Sequence, residues 1–209
     1  MTAFDEIKVF DKKGYNINNN SFEVKYLMGE DVQLWSEYNP HTYKMKIQIQ
    51  NEEKVINEDT YSFGMLSFKT NEKKFLINGQ ETFLRGKHDG LIFPLTGYAS
   101  WIKVLKTSKE YGINHYRFHT CCPPKAAFEA ADIVGIYMEP ELPFWGTITT
   151  KEDENHDEAM EEYLIKEGYR MLDEFGNHPS FVMMSLGNEL WGSKETLNSI
   201  LKGYKEYDN

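Results

Sequence analysis

The sequence is poor in residues that would tie it together covalently or seat it in lipid. Only two cysteines occur, Cys121 and Cys122. As backbone neighbours they cannot bridge each other without strained geometry, so reduced thiols are expected. No run approaches the roughly 20 consecutive apolar residues of a membrane span, and the opening MTAFDEIKVFDKKGY lacks the apolar core of a signal peptide. A soluble chain is expected, of unknown localisation. Basic residues are also short: 23 Lys and Arg face 33 Asp and Glu, and the net charge of −10 repels a phosphate backbone or an anionic membrane. Neither nucleic acid nor a membrane is expected as a partner. No Gly/Ser-rich or Pro-rich linker divides the chain, and no segment repeats. Core material is ample: 40% of the 209 residues are hydrophobic and 14% aromatic, enough for one large or two small domains.

Up to about residue 68 the pattern is that of β-structure. SFEVKYL (Ser21–Leu27), TYKMKIQIQ (Thr42–Gln50) and TYSFGMLSF (Thr60–Phe68) alternate or cluster β-branched and aromatic residues between polar turns. Three or four strands fall short of a full antiparallel sandwich, so residues 1–70 are expected to be a partial immunoglobulin-like β-sandwich cut at its front. Beyond Thr70, short apolar runs at Phe83–Leu84, Ile113–Phe118, Ile136–Met138 and Phe181–Leu186 are separated by stretches of helical period at Trp101–Tyr111, Ala126–Val134 and Ala159–Phe175. Alternating strand and helix predicts parallel β/α units. The strand ends near His88, His119, Glu141 and Glu189 are 31, 22 and 48 residues apart, and the last interval also holds an acidic run, Lys151 to Glu158, expected to be a solvated loop. Four units fit either an open doubly wound sheet or half of a (β/α)8 barrel. A whole barrel takes about 250 residues, whereas Phe75 to Asn209 supplies 135.

The segment NHPSFVMMSLGNELW, Asn177 to Trp191, carries the clearest chemistry. Gly187-Asn188-Glu189 places an amide and a carboxylate at the C-terminal end of a buried strand, where β/α folds bind ligands. Asn188 can donate to one sugar hydroxyl while accepting from another. Glu189 can hold or release a proton beside an apolar Leu190-Trp191 wall that would raise its pKa. Those are the needs of glycoside hydrolysis, although on spacing alone a carboxylate at a helix entry explains Glu189 equally well.

At these residues the sequence resembles glycoside hydrolase family 2, the β-galactosidase and β-glucuronidase group, in order over nearly the whole chain. LWSEYNPHTY is similar to the end of that family's sandwich domain, and FGMLSF with FLINGQETFLRG to its entry into the barrel. GINHYRFH, DIVGIYMEPELPFWG and NHPSFVMMSLGNEL resemble its second, third and fourth barrel strands, the last being the most specific. The resemblance implies that Glu189 is the general acid/base and that Asn188 contacts the sugar 2-hydroxyl in a retaining mechanism. The family's nucleophile stands at its seventh strand, outside this chain. Glu195 and Glu206 follow Glu189 too closely to reach a new strand end and are not candidates.

Arg117 and His119 share one face of the second strand. They resemble the family's arginine and histidine positions, with the histidine here two residues after the arginine. Arg117 can equally serve as the partner of Glu139 or Glu141. Lys87-His88-Asp89 follows the first strand in place of the family's usual motif there, and the resemblance implies His88 and Asp89 at the sugar site, beneath an aromatic loop, Gly90 to Trp101, that ordinary packing explains equally well. At the rim after the third strand, Glu141 is expected to meet a sugar hydroxyl and Trp145 to stack on a sugar ring. A metal site from His115, His119, Cys121 and Cys122 is disfavoured, since the two histidines stand about 13 Å apart on an extended strand. The expected architecture is therefore α/β, a partial (β/α)8 TIM barrel over residues 71–209 holding the first four β/α units, with a β-glycoside as substrate and no cofactor. The rival expectation is a non-catalytic carbohydrate-binding or structural fragment. Alone, the polypeptide is expected to be inactive and to self-associate through open barrel edges.

Overall fold

The computed structural model describes residues 26–51, 54–90 and 97–208. The chain forms two compact units, 1–32 and 33–209, and of the first only residues 26–32 are described. Of the strand expected at Ser21–Leu27, all but Tyr26 and Leu27 lies outside the described residues, and those two form no strand.

Two antiparallel assemblies open the second unit. Strands β1 (Tyr43–Asn51) and β2 (Lys54–Phe63) make a hairpin in register from Tyr43 opposite Phe63 to Asn51 opposite Lys54. Period-two alternation puts Met45, Ile47 and Ile49 on one face of β1, and that face is exposed. Strands β3 (Phe68–Asn71), β4 (Lys74–Ile77) and β5 (Gln80–Thr82) follow as a three-stranded sheet. Ile77 buries against Trp35 and Tyr137 in a small apolar cluster.

The rest alternates strand and helix. Strands β6 (Gly86–Gly90), β7 (His115–His119) and β8 (Tyr137–Glu139) are parallel and lie in that order, joined through α1 (Tyr98–Glu110) and α2 (Lys125–Val134). The run expected as a fourth strand lies beside β8 through parallel bridges at Phe181 and Ser185 rather than a continuous ladder. Hydrogen bonds from Val182 N to Met138 O (3.2 Å) and from Ser185 N to Pro140 O (3.0 Å) hold it there. The first strand also differs from expectation: it occupies Gly86–Gly90, just after the apolar pair Phe83–Leu84. Strands β9 (Trp145–Ile148) and β10 (Asn188–Gly192) pair in parallel beyond the ends of β8 and its neighbour. Helix α3 (Glu158–Phe175) starts where the Asp157 side chain accepts from Met160 N, with Glu158 and Glu161 in its first turn, an arrangement favoured by the helix dipole. The acidic run before it forms turns, as expected. Helix α4 (Lys194–Tyr207) packs on α3, the Tyr204 ring filling the space where Gly168 lacks a Cβ.

Strand alternation sorts β7. Tyr116 and Phe118 enter the main core with Trp101, Leu105, Phe128 and Met171, beneath the helices. His115, Arg117 and His119 therefore face the opposite side of the sheet. The N-terminal ends of the strands are closed by a segment well separated in sequence. Glu37 accepts from Arg85 and Asn114 at 2.8 Å each, and Trp35 Nε1 donates to Asp132 O at 2.8 Å. The Asp132 carboxylate in turn pairs with His178 Nδ1 (2.6 Å) and accepts from Ser180 Oγ (2.6 Å), fixing the start of the fourth segment. With that floor packed shut, the opposite end of the strands is the one left for chemistry.

Candidate active site

The C-terminal end of β7 carries Arg117 and His119, and the register of β6 sets His88 beside Arg117. Arg117 reaches across two neighbouring strands. Its Nη2 pairs with Glu141 Oε1 and also donates to Asn188 Oδ1 at 3.0 Å. Glu141, expected to meet a sugar hydroxyl, lies behind this arginine with none of its surface exposed, and its second oxygen accepts from Thr120 N at 2.8 Å. Its connection to the site runs through Arg117. Of the two carboxylates weighed as the arginine's partner, Glu141 takes the role, while Glu139 pairs with His115 at 3.0 Å.

A second row of contacts crosses the same end. The rings of His88 and His119 meet edge to face at 5.0 Å, as do those of His119 and Trp145. Trp145 Nε1 then donates to Glu189 Oε2 at 3.0 Å. Both rows end on adjacent residues, Asn188 and Glu189. Their backbone takes uncommon conformations: Gly187 has φ +136° and Glu189 φ +45°, both in the range L side chains rarely adopt. A Cβ at Gly187 would stand 2.4 Å from Phe144 O, so only glycine lets Asn188 N donate to that carbonyl at 3.0 Å. Asn188 is buried against Arg117 while Glu189 is exposed. The expected wall beside Glu189 is open, since Trp191 is 69% exposed. Asp89 lies on β6 opposite Phe118, and its side chain is outside the described residues, as is Leu91–Thr96 of the aromatic loop.

The site thus joins seven of the residues expected from sequence, with one carboxylate open to solvent and, next to it, an amide that accepts from an arginine. The profile described as "Glycosyl hydrolases family 2, TIM barrel domain" matches residues 66–209. The chain belongs to glycoside hydrolase family 2. Among family 2 relatives, a Formosa agariphila protein provisionally named a beta-glucuronidase is 32% identical over 164 residues, 75% of this chain and 16% of its own length. A beta-galactosidase of Bacteroides ovatus is 25% identical over 179 residues, 80% of this chain and 20% of its own. The apo structure of Bacteroides uniformis beta-glucuronidase 3 superposes with a TM-score of 0.68 at 22% identity, over 83% of this chain and 23% of that one. The chain therefore spans less than a third of the length of these proteins, and it carries the α/β fold of the family's TIM barrel domain.

Sequence reasoning missed Thr120, whose φ of +53° turns its amide onto Glu141. It also assigned Trp145 to stacking alone, without the indole N–H that reaches Glu189. No signal in the strand pattern marks either contact, because both depend on where the chain turns after a strand end. Among the described residues no three His, Cys, Asp or Glu side chains group as a metal site, and no helix is long and apolar enough to cross a membrane.

Cys121 and Cys122 form no disulfide. Burial pushes the Cys122 thiol up to about 12. The thiolate is the reactive form, so at about pH 8.5 iodoacetamide should label Cys122 much more slowly in the native protein than in urea. Peptide mass mapping reads the difference, and rapid native labelling would contradict it. Because the folded-state value lies above the unfolded one, this group's contribution to stability is intact below about pH 8.5 and is lost as pH rises through about 12. Tyr137, also raised to about 12 by burial, acts in the same sense.

Proposed function

We propose that these residues are the acid/base-bearing part of a retaining β-glycosidase that releases a terminal β-linked sugar. The contact of Trp145 with Glu189, beside an Asn188 held by Arg117, carries the reading. The indole N–H occupies Oε2 of Glu189, which leaves Oε1 to carry the proton delivered to the leaving oxygen. Asn188 meets the sugar 2-hydroxyl, and Arg117, ordered by Glu141, keeps the amide from rotating. His88 and His119 contribute to the pocket that holds the sugar, and Trp145 also offers its ring face; Asp89, in register with the core residue Phe118, is not assigned to it.

Double displacement needs a second carboxylate about 5–5.5 Å from the first. Glu141 does not qualify, because it is buried and already paired with Arg117. The family resemblance puts the nucleophile on a seventh strand, in a part of the intact protein outside this sequence. Residues 71–209 are read as the first four units of an eightfold barrel and residues 1–70 as part of an immunoglobulin-like sandwich. The exposed apolar face of β1 supports the second reading, since one layer of a sandwich needs another to cover it. The same observation about Glu141 favours the rival reading for the polypeptide by itself: alone, it would be a non-catalytic fragment. Two carboxylates and water complete the reaction without a cofactor.

The stereochemical outcome tests the mechanism. Proton NMR of the intact protein acting on an aryl β-glycoside should show the β-anomer of the released sugar first, with the α-anomer growing in by mutarotation. An α-anomer formed first would show inversion and rule out a covalent intermediate.

A further inference from the structure

The chain has four tryptophans. Trp35 and Trp101 are buried, whereas Trp145 and Trp191 are 57% and 69% exposed. The exposed pair stands on two adjacent parallel strands, β9 and β10, with Trp145 bonded to Glu189 and Trp191 two residues beyond it along β10. Register sets Trp191 beside Thr147, and Thr147 lies two residues along from Trp145. Neighbours in register share a face, and so do residues two apart on a strand. Trp145, Thr147 and Trp191 therefore line one face, and all three are exposed on it. The irregularity between Asn188 and Trp191 is what brings Trp191 onto that face, because three residues of β10 there span two of β9. An aromatic side chain left in water forfeits the burial of about 150–250 Å². Two such residues on one strip mark a surface built to be covered.

We propose that Trp145 and Trp191 form an aromatic platform for the leaving-group sugar, so that the preferred substrates are β-linked oligosaccharides rather than simple alkyl glycosides. This deepens the acid/base reading of Glu189 and rests on it. The occupant follows from continuity with that carboxylate. Trp145 holds one oxygen of Glu189, so the platform begins at the atom that protonates the leaving oxygen. Both strands then run away from the strand ends, which carries Trp191 outward from Arg117 and Asn188, where the terminal sugar binds. A leaving group projects in that direction. A pyranose ring offers the platform an apolar C–H face and leaves its hydroxyls to water, and Thr147 between the two rings can accept or donate to one of them.

The test compares matched substrates in the intact protein: lactose with methyl β-galactoside, cellobiose with methyl β-glucoside, and cellobiouronic acid with methyl β-glucuronide. For whichever sugar is hydrolysed, Trp191→Ala should lower the ratio of kcat/KM for the disaccharide to that for the methyl glycoside by about tenfold. Trp191→Phe should keep most of the ratio, since it keeps a ring. An unchanged ratio in a variant that still hydrolyses both substrates overturns the platform and leaves the role of Glu189 standing. A structure of the intact protein with Trp191 buried against another part of the same chain overturns it as well. Hydrolysis of none of the six substrates, with aryl glycosides also untouched, overturns the platform and the catalytic reading together.

Discussion

Replacing Glu189 by Gln in the intact protein is expected to lower kcat/KM for alkyl and disaccharide substrates by about 10²–10⁴, and for activated aryl glycosides far less. The substitution keeps the shape of the side chain and its ability to accept from Trp145 Nε1, but removes the ionisable proton. An alkoxide leaving group needs that proton in the transition state. A nitrophenolate leaves without it, so the first bond cleavage is largely spared. The comparison across leaving groups is what separates acid catalysis from a general disturbance of the site, because on the proposed role of Asn188 a misplaced amide would weaken both substrate classes alike. Equal losses in the two series would remove the acid role from Glu189. A nearly silent substitution would remove the site assignment altogether. Steady-state kinetics over a series of leaving groups of graded pKa gives the answer as a slope.

How far the sequence reveals this site depends on the range of the contacts. Helices α1, α2 and α3 were legible to within a few residues because each buries an apolar stripe, Leu164, Met171 and Phe175 in α3 and Ala127, Phe128 and Ala131 in α2, whereas α4, in which Tyr204 is the buried side chain, was not anticipated. Strand β7 was legible because its outer residues, Tyr116 and Phe118, alternate with polar ones. The first strand was not, since GKHDG contains no apolar side chain, and Lys87 reaches instead over the Tyr116 ring at 5.0 Å. Asn188 and Glu189 stand out by their place after an apolar run, yet what orients them comes from 71 residues away at Arg117 and 44 residues away at Trp145. Pairings over such separations leave no periodic trace. The same holds for the floor, where Trp35, read from its motif as the end of a sandwich, donates to a carbonyl 97 residues on. Arg117 illustrates both limits at once. Its sequence allowed two carboxylate partners, and only the turn at Thr120, which fixes Glu141, decides between them.

That decision has an energetic consequence. Arg117→Leu is expected to destabilise the intact protein by about 3 kcal/mol, because it strands the Glu141 carboxylate in a site with no exposed surface. Thr120 N still serves one oxygen, but the other loses the guanidinium it pairs with. The loss falls at the low end of the usual range for a broken buried pair, about 3–5 kcal/mol, since the Arg117 side chain keeps 32% of its surface in water. Set against a total stability of about 5–15 kcal/mol, the loss should be plain as a fall in the urea midpoint at unchanged slope. Adding Glu141→Gln to Arg117→Leu removes the stranded charge while keeping an acceptor for Thr120 N. The double variant should therefore recover part of the stability, whereas activity should stay low in both, because Asn188 no longer has an arginine at 3.0 Å to hold its amide. A double variant less stable than Arg117→Leu would mean that Glu141 is held by something other than its charge, and a single variant as stable as the parent would mean that the pair does not close in the intact barrel.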